Sequence, residues 1–353
     1  MEDIVIQTPK GERKIGPGNP VFIIAEMSGN HNKDIKKAFK IIDAAVEAGV
    51  DAIKLQTYKP DTLTINCDND YFKVKVNDSW KGKTLYELYN EAYTPWEWQV
   101  ELKTYGESKG VLVFSTPFDN SAVDFLETLN VELYKVASFE IVDLELLKKI
   151  GQTGKPVIIS RGLGSREDIN LAIKTLKEAG SSQVAVLHCV SSYPSEVKQM
   201  NVSTVPDIAN QFNVVSGLSD HSLGNIASIT AVALGASIIE KHFTLSRAEG
   251  GADASFSLEP QEMKSLVEII REVELAKGIP TYEISKKESE NLVFRRSLFV
   301  VEDVKSGDIL TTKNVRCIRP GYGLKPKYLK EVIGKKASRD LSRGTPLSFD
   351  MVV

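Results

Sequence analysis

The stretch Val214–Phe243 reads VVSGLSDHSLGNIASITAVALGASIIEKHF and indicates the fold of the whole chain. It opens within the apolar run Phe212–Leu218, continues through the alanine-rich segment Ile226–Leu234, and closes with the apolar run Ser237–Ile239. Short apolar runs of this kind indicate buried strands, and the longer alanine-rich segment between them indicates a helix. The stretch therefore predicts a strand–helix–strand unit with parallel strands.

A histidine follows each of these two strands. His221 comes directly after Asp220, and His242 comes directly after Lys241. The carboxyl ends of parallel strands meet on one face, where α/β enzymes build their sites, so we expect the two imidazoles to converge. Converging imidazoles predict a site for one divalent metal ion. The alternative is two unrelated polar residues at strand ends.

The same alternation of strands and helices extends over most of the chain. Eight apolar, β-rich runs, beginning with Val21–Glu26 and Ala52–Thr57, are each followed by a segment that includes helical periodicity. No glycine-rich dinucleotide fingerprint accompanies them. The pattern predicts a (β/α)8 TIM barrel over residues 1–278. An insertion at Tyr58–Pro95 shows no clear element and is long enough to be functional.

The chain changes character after the barrel. Residues 279–290 are charged and lack apolar periodicity, so they are predicted to form a linker. Residues 291–353 contain short apolar runs separated by turn signals such as Ser306-Gly307-Asp308 and Pro320-Gly321. They are predicted to form a small β-rich domain. A domain of this size should dock on another surface.

Composition argues against several classes of function. The chain has 353 residues and a formal net charge of −3, which gives no electrostatic case for nucleic acid or an anionic membrane as partner. Residues Met1–Glu12 are charged, and no apolar run approaches ~20 residues, so neither a signal peptide nor a membrane span is expected. Cys67, Cys189 and Cys317 are scattered and odd in number, which is typical of a reducing cytoplasm.

Polar side chains occur at the end of every predicted strand, although barrel interiors are normally filled with Val, Ile and Leu. They are Glu26, Lys54 with Gln56, Thr116, Lys135 with Ser138, Ser160, Ser191 with Tyr193, His221 and His242. A lysine in an apolar strand is costly to bury unless an anion meets it. Lys54 and Lys135, with the hydroxyls nearby, therefore predict a site for phosphate, or for phosphate and carboxylate. The alternative is a structural ion network in which the lysines pair with Glu26, Glu140 or Glu240.

Several of these stretches together resemble the N-acetylneuraminate synthase family. In chain order they are Ile24-Ala25-Glu26, Asn30-His31-Asn32, Lys54-Leu55-Gln56-Thr57, Ser115-Thr116-Pro117-Phe118, Lys135-Val136-Ala137-Ser138, Gly217–His221, Glu240–Thr244 and Arg319-Pro320-Gly321. They run over nearly the whole chain in a fixed order, which makes the match specific. Within the family, Leu85–Tyr89 and Thr94–Trp98 look most like the pseudaminic acid synthases.

The resemblance implies a fold, a reaction and a partner. The family fold is a TIM barrel followed by an antifreeze-like (SAF) C-terminal domain. The reaction condenses phosphoenolpyruvate with an N-acetylated amino sugar, giving a nine-carbon sialic-type acid and phosphate. In the pseudaminic branch the sugar is 2,4-diacetamido-2,4,6-trideoxy-altropyranose. The family also implies a homodimer in which the C-terminal domain is exchanged over the partner barrel and brings Arg319 to the N-acyl group of the sugar.

The resemblance also assigns roles to individual residues. His221 and His242 would bind a divalent metal ion, with Mn²⁺ expected and Mg²⁺ or Co²⁺ as alternatives. The catalytic candidates are Glu26, Lys54, Gln56, Tyr193 and Asp253. The substrate-binding candidates are Thr116, Lys135, Ser138, Glu140, Ser160, Ser191 and Arg319. Sialic acid synthases usually carry Asn in place of Ser191 and Ser-Thr-Gly in place of Ser160-Arg161-Gly162, so the direction of Arg161 is open.

Other functions stay open at this point. A metal-dependent class II-type aldolase or a phosphosugar isomerase would use the same barrel face without releasing phosphate from phosphoenolpyruvate. A non-catalytic sugar-binding protein would need neither the histidine pair nor the two strand lysines. Neuraminate, legionaminate and pseudaminate synthases differ in a few pocket residues, so the sequence leaves the exact sugar open.

Overall fold

A short hairpin precedes a closed barrel of eight parallel strands in the computed structural model, which describes residues 1–75 and 80–353. The hairpin strands are β1 (Ile4–Thr8) and β2 (Gly11–Ile15). The barrel strands among the described residues are β3 (Phe22–Glu26), β4 (Ala52–Thr57), β5 (Leu112–Pro117), β6 (Tyr134–Val136), β7 (Val157–Ser160), β8 (Val184–Cys189), β9 (Val215–Asp220) and β10 (Ile238–His242). Each pairs with the next, and β10 closes the barrel on β3.

Helices follow the barrel strands. They are α1 (Ile35–Ala48), α2 (Pro60–Leu63), α3 (Leu85–Ala92), α4 (Trp96–Ser108), α5 (Asn120–Thr128), α6 (Leu144–Gly151), α7 (Arg166–Ala179), α8 (Thr204–Phe212), α9 (Ile226–Ala233) and α10 (Pro260–Lys277). Every barrel strand is followed by at least one of them, because a parallel sheet needs apolar cover on its outer face. The predicted (β/α)8 barrel is confirmed.

Helix α7 shows how the sequence sets a helix in this fold. Ser165 is predicted to be its N-cap, and in the structure the Ser165 hydroxyl accepts a hydrogen bond from the Asp168 amide. The Asp168 carboxylate accepts one from the Ser165 amide in return. Ile169, Ile173 and Leu176 recur at helical spacing and are buried. Each such side chain contributes about 1.5–3 kcal/mol on burial.

The inside of the barrel has an apolar end and a polar end. Near the amino ends of the strands it is filled by apolar side chains, of which Phe22 and Phe114 are the largest. The N-terminal hairpin closes this end, because Ile4 and Ile15 pack into the same cluster. The hairpin is absent from the predicted elements, since β2 is mostly charged. Polar groups are left to the carboxyl ends of the strands, where a site can form.

The insertion between β4 and α4 contains α2 and α3, so the prediction that Tyr58–Pro95 has no clear element is wrong. Residues 76–79 of the insertion lie outside the described residues. Helix α3 begins with a capping box, in which the Thr84 hydroxyl accepts a hydrogen bond from the Glu87 amide and the Glu87 carboxylate accepts one from the Thr84 amide. With 8 residues, α3 is too short for its periodicity to stand out in the sequence.

Residues Ile279–Val353 form a second compact unit. It contains the antiparallel strands β11 (Ser297–Val300) and β12 (Val315–Ile318) and the short helices α11 (Lys286–Ser289) and α12 (Leu329–Val332). Its own apolar core includes Leu298, Leu310 and Leu347. Helix α11 lies in the stretch that is predicted to be a linker. Within residues 1–75 and 80–353, no helix has the length and apolar character needed to cross a bilayer.

Candidate active site

A cavity of about 710 Å³ lies at the carboxyl ends of the barrel strands. Twelve of the fourteen predicted site residues line it, namely Glu26, Lys54, Gln56, Lys135, Ser138, Glu140, Ser160, Ser191, Tyr193, His221, His242 and Asp253. The other two are Thr116, which is buried on β5 beside Gln56, and Arg319, which belongs to the second unit. The residues on the strands converge because alternate side chains of each strand point into the barrel.

Four charged residues form a buried ion network on the cavity floor. The Lys54 Nζ lies 2.6 Å from Glu26 Oε2 and 3.2 Å from Glu240 Oε2. The Lys135 Nζ lies 3.5 Å from Glu240 Oε1. The ion network that the sequence leaves open is therefore present, with Glu26 and Glu240 as its carboxylates. Two cations meet two anions, so an anionic ligand must compete with these carboxylates for the lysines.

Hydroxyl groups surround the network. The Lys135 Nζ donates a hydrogen bond to Ser160 Oγ at 2.7 Å, and the Ser191 hydroxyl donates one to Ser138 Oγ at 3.1 Å. The Thr116 Oγ1 is buried and has no hydrogen-bond partner within the described residues. An ion network of two acids and two bases does not require these hydroxyls. A phosphate bound here would exchange part of its water shell for hydrogen bonds to these hydroxyls.

Burial changes the protonation of the charged residues in the cavity. Burial lowers the pKa of Lys54 to about 7, because loss of water disfavours the ammonium form. Burial alone would raise the pKa of Glu240, but the ammonium groups of Lys135 and Lys54 hold it below its usual value. Burial raises the pKa of Glu140 to about 7. An anion beside Lys54 would favour its charged form, so the floor can take up a proton together with an anionic ligand.

His221 and His242 lie side by side, with ring centroids 5.3 Å apart. The His221 Nδ1 lies 3.0 Å from the Val190 carbonyl and donates to it, which leaves Nε2 unprotonated in the neutral ring. The His242 Nδ1 is buried, has no hydrogen-bond partner within the described residues, and lies 3.6 Å from Asp253 Oδ2. Burial lowers the pKa of His242 well below its usual range. Interaction with the neighbouring Cys189 raises the pKa of His221 despite its burial, so this ring would have to lose a proton to bind a metal. Two adjacent imidazoles, one with an orphaned nitrogen, then fit a divalent metal ion.

The histidine pair would give an open metal site rather than a closed one. In the part of the chain that the structure describes, no group of three or more His, Cys, Asp or Glu side chains is placed to hold one ion. A metal at the histidine pair would complete its coordination with water and substrate oxygens. That shell suits an exchangeable ion such as Mn²⁺ better than structural Zn²⁺, which takes four protein ligands. Asp253 borders the site and accepts a hydrogen bond from the Ser28 hydroxyl.

A second buried ion pair lies behind the two histidines. The Lys241 Nζ is 2.9 Å from Asp220 Oδ2, and both side chains have 0% exposure. Lys241 also donates to the Ser222 carbonyl at 2.6 Å, and the Ser228 hydroxyl donates to Asp220 at 2.7 Å. Asp220 and Lys241 are register partners in β9 and β10. The pair therefore ties together the two strands that carry the histidines.

Sequence reasoning misses some residues of the cavity. Ser219 precedes His221 by two positions on the same face of β9, and its hydroxyl donates to Glu240 Oε1 at 2.8 Å. The strand period of two could have identified it. Cys189 lines the cavity and is buried, with its Sγ 3.7 Å from the His221 Nδ1. Leu88 and other apolar residues of the insertion also line the cavity. Their sequence does not show whether these apolar residues line a cavity or belong to a core.

The two remaining histidines lie away from the cavity lining. The His188 Nε2 donates to the Met200 carbonyl at 2.5 Å, and its Nδ1 accepts from the Arg161 guanidinium at 3.1 Å. Arg161 therefore binds His188 and does not line the cavity, which settles the direction that the sequence leaves open. His31 is buried, with its Nε2 3.0 Å from Thr94 Oγ1.

Two family models match the chain. The model of the NeuB family matches residues 41–282, which belong mostly to the barrel unit. The model of the SAF domain matches residues 295–353. The predicted antifreeze-like C-terminal domain is therefore confirmed.

Individual relatives match over most of their length. A pseudaminic acid synthase of Campylobacter jejuni is 41% identical over 327 residues, 93% of this chain and 95% of the relative. An N,N'-diacetyllegionaminic acid synthase of Legionella pneumophila is 33% identical over 351 residues, 97% of each chain. The crystal structure of a sialic acid synthetase from Leptospira borgpetersenii, in complex with citrate, is 34% identical with a TM-score of 0.71, and the match covers 79% of this chain and 93% of that one. The chain belongs to the NeuB family of sialic acid synthases, as its motifs predict.

Proposed function

We propose that this protein condenses phosphoenolpyruvate with an N-acetylated amino sugar, forming a nine-carbon sialic-type acid and releasing phosphate. The observation that carries the proposal is one cavity that joins a lysine pair, several hydroxyls and a histidine pair. The lysines and hydroxyls suit an anionic substrate, and the histidines suit a divalent ion. Similarity to pseudaminic acid synthases favours 2,4-diacetamido-2,4,6-trideoxy-altropyranose as the sugar. Neuraminate and legionaminate synthesis are the alternatives.

Phosphoenolpyruvate would occupy the floor of the cavity. Lys54 and Lys135 would contact its carboxylate and phosphate, replacing part of their contacts with the carboxylates of the ion network. The Ser160 hydroxyl would donate to a phosphate oxygen, as would the Thr116 hydroxyl, which has no hydrogen-bond partner among the described residues. This exchange separates Glu26 from Lys54 and leaves a carboxylate beside the reacting carbons.

The sugar aldehyde would lie between the floor and the histidines. The enol carbon attacks the aldehyde carbon, and negative charge develops on the aldehyde oxygen. His221 and His242 would hold a divalent ion, which we propose to be Mn²⁺, and this ion would supply Lewis-acid polarisation of that oxygen. Glu26 accepts a proton from the water that attacks C2 of the enolpyruvate unit, and the former aldehyde oxygen takes up this proton and becomes a hydroxyl. The bond between C2 and the phosphate oxygen then breaks, the C2 hydroxyl gives its proton to the leaving phosphate and becomes the ketone, and Lys135 offsets the charge of the phosphate. The remaining groups that would orient the sugar are Gln56, Glu140, Tyr193 and Asp253.

The proposal is tested by measuring phosphate release from phosphoenolpyruvate with Mn²⁺ and a panel of N-acetylated sugars. We expect release only when a sugar is present, with the 2,4-diacetamido-2,4,6-trideoxy sugar preferred over N-acetylmannosamine. A class II-type aldolase would release no phosphate, and a sugar-binding protein would bind sugar without turnover. Either result would contradict the proposal. Equal or better use of N-acetylmannosamine would move the protein to the neuraminate branch.

Removing either strand lysine is expected to weaken phosphoenolpyruvate binding. Lys54→Met and Lys135→Met each delete a charge-assisted contact worth about 1.5–3 kcal/mol, so the affinity should fall about 10- to 100-fold. The affinity for the sugar should change little. Calorimetric titration measures both. Lys174→Met, on the exposed face of α7, is the control. Unchanged phosphoenolpyruvate affinity in both variants would favour a purely structural ion network.

We also propose a homodimer in which the C-terminal domain of each chain covers the barrel of the other. Residues 279–353 carry 15 basic and 9 acidic side chains, a net charge of +6. Residues 1–278 carry 29 basic and 38 acidic side chains, a net charge of −9. Opposite charges favour docking of the small unit on a barrel. Arg319 stands next to Pro320-Gly321, a turn from which a guanidinium can reach a neighbouring site.

Subunit mixing tests the shared site. Arg319→Ala and His221→Ala are each expected to be inactive alone, because one removes the sugar contact and the other removes the metal ligand. In mixed dimers, one site regains wild-type His221 and a wild-type Arg319 from opposite chains. Phosphate release should therefore return after subunit exchange. No recovery, with exchange demonstrated by mass spectrometry, would show that the arginine does not act across the dimer.

The proposed location is the cytoplasm. Cys67, Cys189 and Cys317 are all free thiols in the structure, as expected in a reducing compartment. The proposed partners are the two substrates and a second copy of the chain, since a net charge of −3 gives no electrostatic case for nucleic acid or an anionic membrane.

A further inference from the structure

One wall of the cavity is apolar, and the proposed bond-forming steps do not use it. Helix α3 contributes Leu85, Leu88, Tyr89 and Ala92 to the cavity lining. These residues follow the spacing i, i+3, i+4, i+7, which is the apolar stripe of an amphipathic helix. Such a stripe normally faces a protein core. Here it borders the cavity, so an occupant of the cavity would meet apolar surface along α3.

Contacts within the protein hold the wall in place. The capping box at Thr84 fixes the start of α3. The Tyr58 ring packs edge-on against Tyr89, with ring centroids 5.9 Å apart, and against Phe118, with centroids 5.2 Å apart. Leu88 is 8% exposed. A wall that the protein itself holds in place discriminates between ligands by the fit of its groups.

The wall and the floor differ in the chemistry that they offer. The floor carries Lys54, Lys135 and Glu240, which are charged and buried. The Leu85 and Leu88 side chains have no hydrogen-bonding atoms. An occupant that spans the cavity is therefore polar where it meets the floor and apolar where it meets α3. A hydroxyl placed against Leu88 would lose its water without gaining a partner.

We propose that the α3 stripe selects a sugar whose terminal carbon is a methyl group over one whose terminal carbon carries a hydroxyl. The inference rests on the proposed function, which places the aldehyde end of the sugar at the histidines and leaves its far end for the wall. A hydrophobic pocket rejects an added hydroxyl only moderately, so we expect a preference of about 10- to 100-fold in kcat/KM.

The test compares two sugars that differ only at the terminal carbon. They are 2,4-diacetamido-2,4,6-trideoxy-altropyranose and its 6-hydroxy counterpart, each assayed by phosphate release with Mn²⁺ and saturating phosphoenolpyruvate. The unmodified protein should prefer the deoxy sugar by at least 10-fold. Equal efficiency on the two would overturn the inference and leave the proposed function standing. Absence of phosphate release with both would overturn the proposed function, and the inference with it.

Variants connect the preference to the wall. Leu88→Asn and, at a half-buried position, Leu85→Asn each place an amide where the hydroxyl would lie. We expect either variant to reduce the preference to about 1- to 3-fold, chiefly by improving use of the 6-hydroxy sugar. Ile65→Asn is the matched control, because Ile65 belongs to the same insertion, is 60% exposed and does not line the cavity. Retention of the full preference in folded Leu85→Asn and Leu88→Asn proteins would show that the stripe does not select the sugar.

Discussion

Replacing Lys241 with Met is expected to lower the free energy of unfolding by about 3–5 kcal/mol. The substitution leaves Asp220 with a buried charge and no cation, because both side chains of this pair have 0% exposure. Hydrogen bonds from Ser222 and Ser228 remain, but they do not neutralise the carboxylate. Urea unfolding followed by circular dichroism measures the loss.

The double variant Asp220→Asn/Lys241→Met separates the charge effect from the packing effect. It removes both charges together, so it should be more stable than Lys241→Met alone. Lys174→Met is the matched control, because Lys174 pairs with Glu178 on the exposed face of α7 and should contribute less than about 1 kcal/mol. A loss for Lys241→Met as small as that of the control would show that the buried pair does not stabilise the barrel.

Removing either imidazole of the metal pair is expected to abolish Mn²⁺-dependent turnover without unfolding the barrel. Polarisation of a carbonyl by a metal ion is worth several kcal/mol, so His221→Ala and His242→Ala should each reduce phosphate release by about 1000-fold or more. Each variant should also bind Mn²⁺ more weakly, since it keeps only one of the two protein ligands of the proposed site. Electron paramagnetic resonance of unbound Mn²⁺ measures the affinity independently of activity.

His188→Gln is the control for the metal assignment. His188 is also buried, but its ring bonds Met200 and Arg161 and lies away from the cavity lining, so Mn²⁺ affinity should be retained. Near-wild-type turnover of His221→Ala in metal-chelated buffer would contradict the assignment. Equal loss of Mn²⁺ affinity in His188→Gln and His221→Ala would point to a general effect on the barrel instead.

The barrel could be predicted from sequence because its strands and helices carry strong and different patterns. The range Ala52–Thr57 is predicted with the bounds that the structure has, and the predicted N-cap Ser165 directly precedes α7. The ends of β9 and β10 are harder. Their last residues are polar, so the apolar runs stop before Asp220 and His242, whereas backbone pairing continues through them. Hydropathy therefore underestimates the length of a strand whose last residues are polar site residues.

The convergence of the site residues also follows from the sequence, but their pairing does not. Glu26 and Lys54 are register partners on adjacent strands, so their contact could be anticipated once the strands were aligned. Glu240 lies on the last strand and reaches the same lysine only because the barrel closes β10 onto β3. The sequence thus left three carboxylates as candidates. The position of α3 beside the cavity is equally hidden in the sequence, because an apolar stripe looks the same whether it faces a core or a cavity.

The hairpin that seals the amino end of the barrel has a consequence for the order of events in a catalytic cycle. Within the described residues, Ile4 and Ile15 fill that end together with the apolar interior, which leaves the carboxyl end as the route for molecules. Under the proposed function, a ligand on Lys54 and Lys135 would lie deepest, and a ligand against α3 would lie above it. Phosphoenolpyruvate would therefore have to bind before the sugar, and its enolpyruvate carbons would leave joined to the sugar.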